Sequence, residues 1–534
     1  MASTPPPVTP PVPPFAQTPD ADDMAALAKG GKTNVLGFVL RLLARIPFLF
    51  IAGRLYGEDA VGRFASALVI IELVALLCSM GEKRGLAQRL TDGEEDKTAL
   101  VYDGLLLALV LSSGAAAFFW FVPAPLFPSG EFTQADRLIV LAIPAYALTE
   151  IVLAAQAYRY DIATTVKARA VVEPWTISIA AGAFFFVPAL SDSGLALAYL
   201  VSIYAGLATG AFFFVRSYGP PRGWRPHPAR IAALTTRATP LAFADAIEWG
   251  TRRVDIFILG LFAAPSAVGV YYMAQQIASL PQKLKTSFEP ILGPVITKNL
   301  AIGDHAAIAR QVCQVGFWII AAQTGIALAL GVPGEAVMGL IGPAFVGGTG
   351  ALALLLAAEA VAATAVVSEA ALVYMARGRN FWLSVATIVF QAGLTIALVL
   401  LVEREGYGEP YKAAAAALAL MTALGLASAV KARLLSRLLG QPINIWRWAL
   451  VWAAAAGVVV GFAATFLPEW AELLFGIPAI LAAYGMVIWR RGFGPEDRVL
   501  FRRSAPGTSS DTGPDTGPDS GPDTGPDTGR NTGP

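Results

Sequence analysis

Apolar runs of about 20 residues recur along most of the chain, and they constrain its fold more than any other feature. At 1.5 Å of rise per residue, a helix of that length crosses ~30 Å of hydrocarbon. Between these runs little charge remains. Of 534 residues, 56% are hydrophobic and 14% charged, against about 25% charged in soluble domains. A water-facing surface cannot be built from so few charges. Backbone groups in lipid must satisfy one another, and runs this long do so as helices rather than as barrel strands.

Fourteen spans are expected, at about 34–54, 60–80, 99–122, 137–157, 168–188, 194–215, 238–262, 266–285, 311–332, 348–376, 381–402, 411–432, 446–467 and 472–490. Prolines fall inside several of them, including Pro47, Pro144, Pro174 and Pro240. Membrane helices accommodate such residues as kinks. Residues 1–28 form a proline-rich tail without the pattern of a secretory signal, so the N-terminus is expected to be retained. Residues 493–534 end in Asp-Thr-Gly-Pro repeats, which have nothing to bury against their ordering entropy. Both tails read as disordered.

Lysine and arginine give the orientation. Loops after even-numbered spans hold Lys83, Arg84, Arg89, Lys97, Arg159, Lys167, Arg216, Arg222, Arg225, Arg230, Arg237, Lys298, Arg310, Arg377, Arg379, Arg433 and Arg437. Loops after odd-numbered spans offer only Arg404, with Arg54, Arg137 and Lys412 at their margins. Both termini are therefore expected in the cytoplasm.

An internal echo divides the chain. Near the second span it reads Arg54-Leu-Tyr-Gly-Glu-Asp-Ala-Val-Gly-Arg-Phe-Ala-Ser-Ala67, and near the eighth Phe262-Ala-Ala-Pro-Ser-Ala-Val-Gly-Val-Tyr-Tyr-Met-Ala274. Each carries Val-Gly-x-aromatic, at Gly62 and at Gly269. Six spans separate them, an even number, so the halves share one orientation, as in parallel-repeat transporters. The expected divisions are a first half at 29–215, a basic, proline-containing linker at 216–237, a second half at 238–437, and two further spans at 438–492.

Charges inside membrane spans are costly and usually face a cavity or a partner. Arg41 and Arg45 share one face of the first span. They either line an interior or snorkel to the headgroups. On the seventh span Asp245, Glu248, Arg252 and Asp255 trace a stripe beside Arg253, which reads as a cavity lining or a self-neutralising network. Single acids occur elsewhere: Glu72, Asp103, Glu150, Glu173, Glu359 and Glu369. Arginines in a lumen suit anionic cargo, since guanidinium pairs bidentately with phosphate and keeps its charge. Two cysteines, Cys78 and Cys313, and two histidines, His227 and His305, lie apart, so neither a disulfide framework nor a metal site is expected. With a net charge of +1 there is no electrostatic case for nucleic acid.

The stretch Gly37–Ala87, with AGRLYG, VGRFASA and SMGEKRGLA, resembles the polysaccharide biosynthesis flippases for O-antigen and exopolysaccharide repeat units. These belong to the multidrug/oligosaccharidyl-lipid/polysaccharide exporter superfamily. Residues 239–296, with TPLAFADAIEWGTRRVDIFILG, VGVYYMAQQI and FEPILGPVI, extend the resemblance. It implies an all-α fold in which spans 1–6 and 7–12 form two parallel six-helix bundles in a V, plus two C-terminal helices. It further implies alternating access, and cargo of undecaprenyl-pyrophosphate-linked oligosaccharide moved across a bacterial inner membrane.

The cationic cavity of that family would map onto Arg41, Arg45 and Arg252, with Asp245, Glu248, Asp255, Glu72 and Glu150 as coupling or cavity acids. No catalysis, cofactor or metal is expected. Expected partners are the lipid-linked substrate, membrane lipid, a polysaccharide polymerase and a chain-length regulator. The competing readings are a cation-coupled multidrug antiporter of the same fold, a lipid II flippase, and a membrane-embedded glycosyltransferase or polymerase. The last is opposed by the short external loops, the longest, about 123–136, holding only Glu131 and Asp136.

Overall fold

The computed structural model describes residues 43–82, 85, 86, 89, 90, 97–221, 223–226, 228–285, 289–494 and 497. A glycine corner sets the first hairpin. Helix α1 (43–56) ends in a π turn at Ala52–Tyr56, and α2 (Gly57–Cys78) follows directly. Gly57 sits at φ +80°, a conformation only glycine adopts cheaply. There the chain doubles back. In one straight helix Phe48 and Phe64 would lie about 24 Å apart, yet their rings meet edge to face at 6.2 Å. The apolar stretch Leu43–Cys78 is therefore two spans.

The remaining helices are α3 (Lys97–Phe121), α4 (Asp136–Tyr158, opening as a 3-10 turn), α5 (162–185), α6 (Gly194–Tyr218), α7 (Pro228–Phe262), α8 (Pro265–Lys285), α9 (His305–Gly331), α10 (Thr349–Met375), α11 (Arg377–Arg404), α12 (Glu409–Leu439), α13 (Trp448–Ala464) and α14 (Glu469–Gly492). Among the described residues, each of the fourteen expected spans has its helix. Short helices Glu289–Ala301 and Gly334–Ile341 connect α8 to α9 and α9 to α10.

Several helices run past the expected spans, α9 from His305 and α12 to Leu439 among them. The linker read at 216–237 shrinks, because α6 runs to Tyr218 and α7 starts at Pro228. Proline is favoured in a helix's first turn, where its missing N–H costs nothing, so Pro228 opens α7. Pro174 acts differently. It leaves the Ala170 carbonyl without its usual donor, and the chain passes through a π turn at Lys167–Val172 before α5 resumes.

Packing follows membrane rules. Large apolar side chains such as Phe121, Phe186, Phe466 and Trp448 are more than 70% exposed, a surface that lipid stabilises and water does not. Inside, small residues let helices approach closely. Ala351, Ala358, Ala362 and Ala365 of α10 and Ala413, Ala416 and Ala423 of α12 are all buried, where these two helices make the most extensive pairing in the molecule. Helix α6 pairs with α4 and α5, and α12 with α10 and α11; α13 and α14 pair with each other and against α9, and one buried apolar cluster runs through both halves, from Phe48 to Leu420.

The halves meet at α2 against α7 and α8, and the echoed motif forms that junction. A Cβ at Gly62 would fall on the backbone of Pro265, and a Cβ at Gly269 on the carbonyl of Glu58. Each glycine is met by the residue four before its counterpart. The contact is thus reciprocal, as a two-fold relation between the repeats requires. The register extends without a gap: Phe50, Ile51, Gly53, Ala60, Val61, Ala67, Ile70, Leu73 and Leu77 recur as Phe257, Ile258, Gly260, Ala267, Val268, Ala274, Ile277, Leu280 and Leu284.

Phe493–Pro534 is a unit distinct from Met1–Gly492. Of it Phe493, Gly494 and Asp497 are described, and the Gly494 amide donates to the Asp497 carboxylate at 2.9 Å.

Candidate functional site

Along α2 and α8, about 10–15 Å from the glycine crossing, polar side chains replace apolar ones. Arg45 of α1 donates to the Gln276 side-chain oxygen on α8, bridging the halves. Arg253 of α7 faces Glu72 of α2 at 3.6 Å, with both side chains about four-fifths buried, and donates to the Gln275 side-chain oxygen at 3.2 Å. Two arginines, one from each half, thus reach across to groups on the other. In the repeat register Arg45 corresponds to Arg252, the neighbour of Arg253.

Asp255 lies one turn further along α7 and is fully buried. Such a carboxylate is tolerable only with its oxygens satisfied. The Ile256 amide donates to one oxygen at 2.9 Å, while the Tyr271 hydroxyl and the Gln275 amide, the latter at 3.4 Å, donate to the other. Gln275 also donates to the Arg252 carbonyl at 3.2 Å. It thereby ties α8 to α7.

A second cluster lies in the first half. Arg169, on the π turn of α5, is held by Glu150 of α4 at 2.5 Å and by Glu173 at 2.9 and 3.1 Å. Its guanidinium stacks over the Tyr146 ring at 4.8 Å. Tyr146 and Tyr199 lie within electrostatic reach of both Glu72 and this cluster, so the two groups share one region. Nearer the linker, Asp103 of α3 accepts from the Trp224 indole at 2.9 Å and pairs with Arg230 of α7 at 3.1 Å. This tie fastens the interhalf connection to the first half.

The expected site residues are placed unevenly. Arg41 lies outside the described residues, as does the side chain of Glu248. Arg45 is at the junction, whereas Arg252 has no ion-pair partner among the described residues. Asp245 and Asp255 are both buried on α7. Glu72 and Glu150 are each held by an arginine rather than standing alone.

Sequence reasoning passed over Arg169, although its signal was present, as opposite charges four apart within one apolar run. It also passed over Gln276, for which no periodicity could supply the partner. Among the described residues no three His, Cys, Asp or Glu side chains gather in a metal-binding arrangement.

Known structures share this architecture. The lipid II flippase MurJ in an inward closed conformation superposes with a TM-score of 0.63 at 13% identity, over 88% of this chain and 100% of that one. An inward-facing multidrug resistance MATE family transporter of the MOP superfamily gives 0.62 at 15% identity, over 75% and 94%. A MOP superfamily transporter from Pyrococcus furiosus gives 0.55 at 13%, over 78% and 95%. At such identities these likenesses establish the fold. No curated protein sequence matches the chain significantly. The family model described as polysaccharide biosynthesis protein matches residues 27–299, a stretch that contains both glycine motifs, the Arg169 cluster and the junction arginines. The chain is a multi-pass membrane protein belonging to the polysaccharide biosynthesis protein family, with the fold of the MOP superfamily transporters.

Proposed function

We propose that this protein is a flippase for undecaprenyl-pyrophosphate-linked oligosaccharide, an O-antigen or exopolysaccharide repeat unit, in a bacterial inner membrane. The observation that carries the reading is the pair of arginines bridging the halves, Arg45 to Gln276 and Arg253 to Glu72. A pyrophosphate entering this region would take over guanidinium groups now held by a neutral amide and a carboxylate. It would thereby loosen the two contacts that join the halves on this side of the glycine crossing. Moving a pyrophosphate through hydrocarbon unaided costs many kcal/mol, and bidentate guanidinium contacts lower that barrier.

Rocking about the Gly62–Gly269 crossing would then expose the headgroup on the other side while the polyprenyl tail stays in lipid. Loop arginines and lysines support a cytoplasmic linker face and cytoplasmic termini. In this scheme Arg41, Arg45 and Arg252, together with Arg253, bind the headgroup. Coupling to an ion, where the cycle uses one, falls to Asp245, Glu248 or Asp255 on α7, since Glu72 and Glu150 already neutralise arginines. That pairing also weighs against a cation-coupled drug antiporter, which needs a free acidic pocket in the first half. A polysaccharide polymerase and a chain-length regulator would act on the delivered units.

The test is the double variant Arg45→Ala/Arg253→Ala in the native host. Surface polysaccharide should vanish and intact carrier-linked repeat units should accumulate on the cytoplasmic leaflet, with membrane levels of the protein unchanged. Undiminished export would sink the proposal. Normal polysaccharide with heightened drug sensitivity in a deletion strain would favour the antiporter instead.

A further inference from the structure

Between the start of α11 and the end of α12, a groove of about 730 Å³ opens on the surface of the second half. Its size falls within the range of small-molecule sites, about 300–1,000 Å³. Its walls are helical stripes: Gly378, Arg379, Trp382 and Leu383 on α11, and Val430, Arg433, Leu434 and Arg437 on α12, so it is basic and apolar at once.

The charges are unbalanced. Arg379, Arg433 and Arg437 are exposed and have no ion-pair partner among the described residues. No Asp or Glu occurs in 376–383 or 430–441. The nearby Glu369 is occupied by Lys431 at 3.0 Å, and Lys431 is buried. The N-terminus of α11 opens into the same groove, without a side-chain cap on its first N–H groups. These orphan donors and the helix dipole add to the positive field. At Gly378, which lines the groove, a Cβ would meet nothing within 4 Å, so the backbone is approachable. Trp382 is 69% exposed, the placement expected of an aromatic ring at a headgroup boundary.

We infer that this groove binds the headgroup of an anionic two-chain phospholipid, with the acyl chains lying along Trp382, Leu383, Val430 and Leu434. A basic recess between helix ends, with an apolar continuation into the bilayer, matches both parts of such a lipid. The groove shares no lining residue with the arginines at the junction of the halves.

The test uses the full chain purified in neutral detergent and titrated with phosphatidylglycerol or phosphatidylcholine, with retained lipids counted by native mass spectrometry. Wild type should retain one phosphatidylglycerol, in preference to phosphatidylcholine. The variant R379Q/R433Q/R437Q should lose that preference, weakening retention about tenfold or more. Trp382→Ala, which leaves every charge in place, should weaken both lipids, and millimolar inorganic phosphate should not displace the bound lipid. Equal retention by wild type and the triple variant overturns the inference. So does an equal loss in R490Q/R491Q, which removes exposed arginines elsewhere, because the effect would then be non-specific. Selective retention of undecaprenyl phosphate over phosphatidylglycerol overturns it as well, making the groove part of the transport path.

Discussion

The stretches 45–77 and 252–284 occupy equivalent places in the two halves and have diverged in one informative way. Positions that decide backbone approach are kept: Gly53 and Gly260, Val61 and Val268, Gly62 and Gly269. At the positions of Phe48 and Phe64, whose rings meet at 6.2 Å, the second half places Asp255 and Tyr271, joined by a hydrogen bond. An apolar pair tolerates any surroundings in the core, whereas a buried carboxylate needs every donor around it. The first half carries its charge elsewhere, in the Glu150–Arg169–Glu173 cluster, and the second sets its acids in more open pairs, Glu369–Lys431 and Glu409–Lys412. The halves share a scaffold and differ in where ionisable groups are set into it.

The largest effect is expected at Arg169. Its side chain and those of its two partners are all more than 80% buried. Arg169→Ala leaves two carboxylates facing each other without a cation, a change of about 3–5 kcal/mol for a broken buried network. Thermal unfolding in detergent should show it directly. Adding Glu150→Gln and Glu173→Gln to that variant should recover much of the loss by removing the stranded charges. No recovery would mean that shape, not charge, holds α4 to α5.

Next come the glycines. Gly62→Ala and Gly269→Ala each drive a Cβ into backbone that cannot swing aside, so each should cost about 2–3 kcal/mol. The reciprocal contact makes a sharper demand, that the two variants be nearly equal in unfolding midpoint and in export. A tolerant Gly269 beside an intolerant Gly62 would break the two-fold equivalence.

These glycines were legible in the sequence because a close backbone crossing leaves a local mark, Val-Gly-x-aromatic, in both halves. The spans were legible for the same reason: hydrocarbon thickness imposes a length on each one separately. The ion pairs were less so. Spacing along α7 joined Arg252 to the Asp245–Asp255 stripe, but the guanidinium that reaches Glu72 belongs to Arg253, one residue and about 100° away on the helix. Which of two adjacent arginines faces α2 depends on how the halves pack, and periodicity within one helix does not contain that. Gln276 was invisible on the same grounds, since a neutral amide draws attention only when its partner is known.

A smaller effect is expected from Tyr271→Phe. It removes one of three donors to the Asp255 carboxylate and leaves the others, which implies about 1–2 kcal/mol. Restoring the first half's chemistry sharpens the comparison. In the double variant Asp255→Leu/Tyr271→Phe no buried charge lacks a donor, so it should unfold later than Tyr271→Phe alone. Loss of export in a variant that is stable would mark the Asp255–Tyr271 pair as kept for transport rather than for folding.

The smallest effect should come from Lys431→Ala, although the ion pair it breaks has the same sign and a similar length, 3.0 Å, to those around Arg169. The difference is solvent. The Glu369 side chain is 44% exposed, so water can replace much of what the ammonium supplied. Pairs of this kind contribute about 1 kcal/mol or less. The ammonium also donates to the Ser384 hydroxyl at 3.2 Å, and the Asn380 amide donates to the Glu369 carboxylate at 3.4 Å, so the acid keeps a partner after the substitution. Lys431→Ala should therefore shift the unfolding midpoint by well under half the Arg169→Ala shift. Equal shifts would mean that α10 and α12 shield Glu369 from water as thoroughly as α4 and α5 shield their acids, and the contrast between the halves would rest on Asp255 alone.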